Sequence, residues 1–214
     1  MSWKKNILNA QQEKKMAELI LQFENKTQTE LAICIAKKCD PYPAATLRFA
    51  FLFMLTLSCV TLLFIPSHSN PFLFLSLQTA FFLVGMILGH FSYFKSLCLS
   101  AKEVHREVDE KAFEIFCQQE LYRLDQGACI FIITSSLERT MRILINKNLS
   151  KKVSPAMLDM WAKQFSKKIK QDTFFNAFTD IITEIENNLE KSVEEKTAPL
   201  SHTSQICNKI TWLN

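Results

Sequence analysis

The feature that most limits what this chain can fold into is a gap in its charge. No Asp, Glu, Lys or Arg occurs between Arg48 and Lys95. Charged residues make up 21% of the chain, near the soluble average, so nearly all of them are crowded into the two flanks. Inside the gap lie two apolar runs, residues 49–65 (FAFLFMLTLSCVTLLFI) and 71–94 (PFLFLSLQTAFFLVGMILGHFSYF). Pro66, Ser67, His68, Ser69 and Asn70 part them. As helices the runs span about 26 Å and about 36 Å, against roughly 30 Å of bilayer hydrocarbon. Residues 45–47 can lengthen the shorter one.

The pattern predicts a transmembrane hairpin. In lipid the backbone must satisfy its own hydrogen bonds, so the chain can turn only outside the hydrocarbon. Pro66 cannot continue a helix interior, whereas Pro71 suits a first turn. The Phe, Leu, Ile and Val residues of the first run contribute about −3 to −7 kcal/mol to insertion. Thr56, Ser58 and Thr61 are expected to bond their hydroxyls back to the helix backbone. Lys37, Lys38 and Arg48 precede the hairpin, Lys95, Lys102, Arg106 and Lys111 follow it, and the loop carries no charge. The positive-inside rule then puts both ends of the chain in the cytoplasm. Gly85 and Gly89 form a Gly-x-x-x-Gly, a spacing that lets helix backbones approach closely. It can serve packing within the hairpin or a homodimer through the second span. His90 falls near the cytoplasmic boundary.

The flanks have their own period. Residues 7–25 suit a helix burying Met16, Leu19, Ile20 and Phe23. Residues 30–36 read as a strand, and Pro41 and Pro43 break structure before the hairpin. Residues 101–125 form a helix with a stripe of Val104, Val108, Phe113, Phe116 and Cys117, stopped by Gly127. Residues 128–136 and 140–147 are strands joined by a turn at Ser136–Arg139. Ser154 caps a helix with Pro155 in its first turn, burying Met157 or Leu158, Trp161, Phe165 and Ile169. A last helix, residues 174–193, buries Phe174, Phe178, Ile181, Ile182, Ile185 and Leu189. The tail, residues 194–214, shows no clear period and is expected to be loose or peripheral. The order is α–β–hairpin–α–β–β–α–α, which predicts an α/β domain with helices on both faces of the sheet and a parallel first strand pair. Domain parts are expected at residues 6–45 and 98–193, with the hairpin at 46–97.

Composition excludes several functions. A net charge of +4 is too small and scattered to indicate nucleic-acid binding. Three glycines, Gly85, Gly89 and Gly127, exclude a glycine-rich phosphate loop. Seven cysteines without a Cys-x-x-Cys pair argue against a disulfide framework or zinc ribbon. Cys59 in the charge-free stretch, and Cys34, Cys117 and Cys129 among apolar neighbours, read as buried thiols of a reducing compartment. The first twenty residues hold no unbroken apolar run of the secretory-signal kind. No Ser-His-Asp set or His-x-x-x-His spacing is visible.

TQTELAICIAKKCDPY (residues 27–42) and QGACIFIITSSLERTMRILIN (126–146), with FCQQEL (116–121) and the late WAKQFSKKIKQDTFFNAFTDIITEI, resemble the TPM domain family. The likeness covers roughly residues 6–192 and is to its bacterial membrane-bound branch, which carries a transmembrane hairpin inside the domain. The resemblance implies a three-layer α/β/α sandwich. Its relatives are linked to photosystem repair, receptor modulation and a weak metal-associated acid phosphatase activity. Glu30 and Glu138 match acidic positions of the family, which implies a site for Ca²⁺ or another divalent ion and, as a second function, a weak metal-dependent phosphatase. Asn146 stands where the family often has Asp. Glu138 and Arg139 together suggest a binding loop beside the sheet end; Arg139 and Asn146 are the candidate ligand or partner contacts. The leading expectation is a non-enzymatic factor of a bacterial inner membrane, spanning it twice. It would bind the lipid bilayer and membrane-protein partners and serve assembly or maintenance of membrane complexes.

Overall fold

The structure, a computed structural model, describes residues 7–64, 71–123, 127–169, 171–192 and 210–213. The polar loop 66–70 and most of the tail lie outside the described residues. The chain forms two compact units: residues 40–105, and the segments before and after them.

The unit built from the two flanks is mixed α/β. Its first helix, α1 (Ala10–Thr27), begins with a capping box in which Asn9 and Gln12 exchange side-chain bonds to each other's backbone N–H, satisfying two orphan donors of the first turn. It buries Met16, Ile20 and Phe23 and ends at Gln28, whose φ is 52°. Strand β1 (Thr29–Ala36) follows, then β2 (Ala128–Ser135) and β3 (Thr140–Ile145). Helix α5 (Ala101–Gln118) leads into β2 through a short 3₁₀ turn, and α6 (Pro155–Lys168) and α7 (Phe174–Ser192) come after β3. The expected cap and first-turn proline of α6 are in place: Ser154 Oγ accepts from Met157 N–H.

β1 and β2 run parallel over eight residue pairs, from Thr29↔Ala128 to Ala36↔Ser135. β3 returns antiparallel to β2 across the turn at Ser136–Arg139. Alternation divides the sheet between two layers of contact. Leu31, Ile33, Ile35, Ile130, Ile132, Met141 and Ile143 share one core with α1, α6 and α7, whose anchors Trp161, Phe165 and Phe178 are fully buried. The opposite residue set meets α5, where Phe116 and Phe131 lie 6.1 Å apart.

Three expectations are corrected. The stripe of α5 is Val108, Ala112, Ile115 and Phe116, and Phe113 is 64% exposed. Five residues on from Val108, it sits about 140° round the helix. The tail is not all peripheral: Ile210–Leu213 form a strand, β4, parallel to β1, giving the order β3-β2-β1-β4. Cys34 and Cys129 are buried, but Cys117 is only half-buried and Cys59 is exposed.

The unit of residues 40–105 holds α2 (Pro43–Phe64), α3 (Pro71–Leu88) and the short α4 (Ser92–Leu97). Both α2 and α3 are long and apolar enough to cross a membrane, and little of either is buried. The second apolar helix stops at Leu88, short of the expected 94. Gly89 and His90 turn the chain there, with His90 N–H donating to Ile87 O at 3.2 Å. Thr56, Thr61, Ser76 and Thr79 bond back to carbonyls of their own helix at 2.9–3.0 Å. Ser58 does not follow the expectation; its buried hydroxyl has no partner among the described residues.

Candidate functional site

The candidate residues fall in three places. The first is the end of the sheet where β1 and β2 finish. The chain leaving β1 and the turn leaving β2 are tied together there: Ser136 N–H donates to Ala36 O at 2.9 Å and Leu137 N–H to Lys37 O at 3.1 Å. Glu138 adds a side-chain tie. Its Oε1 accepts Cys39 N–H at 2.9 Å, and its Oε2 accepts the Ser135 hydroxyl. Both carboxylate oxygens therefore hold the local fold. Arg139 is exposed and takes a left-handed φ of 51°, the conformation that lets this turn close.

Two thiols lie at this end. Burial pushes Cys34 up to about 12, with Lys111 opposing. Cys39 is also pushed up to about 12, by burial first and the Glu138 charge second, against a hydrogen bond from Ser135. The thiolate is the nucleophile and the metal ligand, so neither group offers that chemistry near neutral pH.

The second place is the opposite end of the sheet. Glu30 pairs in register with Cys129. Burial, followed by the charges of Glu30 and Glu24, pushes the Cys129 thiol up to about 12. Asn146 is buried beside it. Its Oδ1 accepts Cys129 N–H at 3.2 Å and Leu149 N–H at 3.3 Å, and its Nδ2 donates to Gly127 O at 2.6 Å. The residue is a clamp on the ends of β2 and β3. Both its amide oxygen and its amide nitrogen bond the backbone.

Glu30 and Glu138 do not meet. Six steps along β1 lead from Glu30 to Ala36, about 20 Å of extended chain, and Glu138 lies beyond Ala36's partner Ser135. A divalent ion needs several hard oxygens converging, and these two cannot share one. Among the described residues no group of three His, Cys, Asp or Glu is placed to hold a metal.

The third place is the helix pair. A Cβ on Gly85 would lie 2.9 Å from Ala50 Cα, and one on Gly89 would lie 3.0 Å from Thr46 Cγ2. The Gly-x-x-x-Gly face is therefore filled by α2 of the same chain. A homodimer through α3 would have to use another face. Phe51 and Phe82 add an edge-to-face contact between the two helices, with centroids 6.2 Å apart. At the base of the pair, Arg48 binds Glu103 through two bonds of 2.7 and 2.5 Å. Lys95 Nζ donates to Pro41 O at 2.7 Å. The sequence predicted the glycines; it gave no sign of the Arg48–Glu103 pair, which spans 55 residues.

No protein-family model matches the chain, and no curated protein matches it. Its fold is similar to that of the BA42 protein from the psychrophilic bacterium Bizionia argentinensis, solved by NMR. The TM-score is 0.55 at 15% identity, covering 96% of this chain and 94% of the other. At that identity the likeness concerns the fold.

Proposed function

We propose that this chain is a membrane-anchored α/β protein, a non-enzymatic factor in the assembly or maintenance of membrane complexes. The observation that carries the proposal is the exposed apolar surface of α2 and α3. Leu63, Phe64 and Phe72 are 82%, 81% and 78% exposed. Contiguous apolar patches beyond a few hundred Å² are rare on soluble monomers, and lipid removes the penalty. The hydroxyls that bond back to their own helices support the same solvent. In this proposal α2 and α3 cross the inner membrane of a bacterium. Both flanks lie in the cytoplasm, where Lys37, Lys38, Arg48, Lys95 and Lys102 satisfy the positive-inside rule. The cytoplasmic unit is a three-layer α/β/α sandwich of the TPM kind. The case for a binding rather than a catalytic role is that Glu138 and Asn146 are spent on ties within the local fold and that the Cys34, Cys39 and Cys129 thiols are held protonated.

Two measurements test this. Carbonate washing of membranes should leave the chain in the pellet, and detergent should release it. Affinity purification in mild detergent should then retain membrane-protein partners in stoichiometric yield. A chain that stays in the supernatant after lysis defeats the anchor; a partner-free monomer defeats the assembly role.

A further inference from the structure

Among the described residues, one edge of β1 is paired by four. Ile210–Leu213 pair with it from Ile33↔Ile210 to Ala36↔Leu213, and Lys37 N–H closes the ladder on Leu213 O at 3.0 Å. Ile210 and Trp212 rest against the core beside Ile33 and Ile35. Trp212 Nε1–H donates to Glu13 Oε1 of α1 at 3.2 Å. Farther along the same edge, the Glu24 carboxylate accepts Leu31 N–H at 3.1 Å, so the open stretch admits a segment of about four residues.

β4 differs from its neighbours in how it is held. All four of its residues are only half-buried, whereas seven of the eight in β2 are buried. β4 runs parallel to β1, so the two are not arms of one hairpin. Main-chain bonds at a sheet edge supply affinity, and contacts for alternate side chains supply selectivity. Here the alternate contacts fit an apolar residue and, two positions later, an indole whose N–H meets a carboxylate.

We propose that this edge of β1 is a strand-acceptor site for a short extended segment of a membrane-protein partner, carrying an apolar residue followed two positions later by tryptophan. Ile210–Leu213 is the chain's own occupant and competes with that segment. The inference deepens the assembly role by naming what the partner presents. It rests on that role only for the partner's being a membrane protein.

Ile210–Leu213 belongs to the same chain, so its hold on the edge is intramolecular. A rival segment gains access when that hold is weakened. The probe is a fluorescent peptide with the sequence of residues 208–214, NKITWLN, titrated onto the detergent-solubilised chain. A chain ending before Ile210 should bind it saturably, at least tenfold more tightly than the intact chain does. Trp212→Ala in the intact chain should also raise peptide binding at least tenfold, and it carries the test if the shortened chain fails to fold. A peptide with Ala in place of its tryptophan should bind at least tenfold more weakly. Equal binding by the intact and Trp212→Ala chains, or none by either, overturns the proposal. So does cross-linking that places β4 on the β1 of a second copy, which would make the occupant another molecule of this chain. These outcomes leave the purification of partners untouched, so the two ideas fail separately.

Discussion

The two compact units use similar residues to opposite ends. In the α/β unit, Trp161, Phe165 and Phe178 have no exposure at all. In the helix pair, Leu63, Phe64 and Phe72 are among the most exposed side chains of the chain. The difference lies in whether polar residues interrupt the apolar ones, and at what spacing. On α7 the apolar residues recur at three and four, so one face enters a core while Asp180, Thr183 and Asn187 stay exposed. On α2 and α3 they run all round, and only small residues such as Ala50, Ser58 and Gly85 are buried, where the helices touch. A stripe asks for a protein partner; a fully apolar cylinder asks for a different solvent.

The sharpest way to break this contrast is to truncate one aromatic in each unit. Phe178→Ala should cost about 3–5 kcal/mol, the usual loss for a buried aromatic, read from urea unfolding of the α/β unit in detergent. Phe72→Ala should move the same transition by less than about 0.5 kcal/mol. Comparable losses would mean that the helix pair is buried against protein.

A second test uses pH. Cys34 and Cys129 sit in the α/β interior with thiols raised from 9.0 to about 12. Above pH 9 the unfolded chain releases these protons while the folded chain keeps them. Stability is therefore lost as pH rises from 9 towards 12, by about 1.4 kcal/mol per pH unit for each thiol. Cys129→Ala should flatten the difference between unfolding at pH 8 and pH 10.5 by roughly that slope. An unchanged slope would mean that water reaches the sheet.

Smaller effects sharpen the comparison within each unit. Gly85→Leu should cost the helix pair about 1–3 kcal/mol through overpacking, because its Cβ runs into Ala50 backbone. The readout is weaker cross-linking between Phe51→Cys and Phe82→Cys. Asn146→Ala should cost the α/β unit about 1–3 kcal/mol by stranding the buried N–H of Cys129. Asn146→Asp should recover part of that loss, since a carboxylate still accepts from Cys129 and Leu149 but cannot donate to Gly127.

Much of the fold was legible. The two apolar helices, the Ser154–Pro155 cap and the strand pair around the Ser136–Arg139 turn all announce themselves through local chemistry. What was hidden depends on contacts distant in sequence. The four residues of β4 are too short to show a period, and only the edge of β1 makes them a strand. Gly89 reads as helix interior by composition, yet its neighbourhood turns the chain. The site expectations fared differently for the same reason. Gly85 and Gly89 could be recognised because the spacing itself creates the contact. The distance between Glu30 and Glu138 depends on which ends of parallel strands they occupy, and the parallel pairing predicted here already set that distance. The Asn146 clamp reaches back to Gly127 and Cys129, a relation no local pattern encodes.

The hairpin interrupts the α/β unit between β1 and the strand it pairs with, and this orders events during synthesis. Thr29 leaves the ribosome about a hundred residues before its partner Ala128. A nascent β1 thus presents two unpaired edges while the apolar helices are being made. In the proposed membrane setting, insertion comes before the sheet can begin to assemble. A chain stalled at that step would carry a bare strand, which chaperones and proteases would find first.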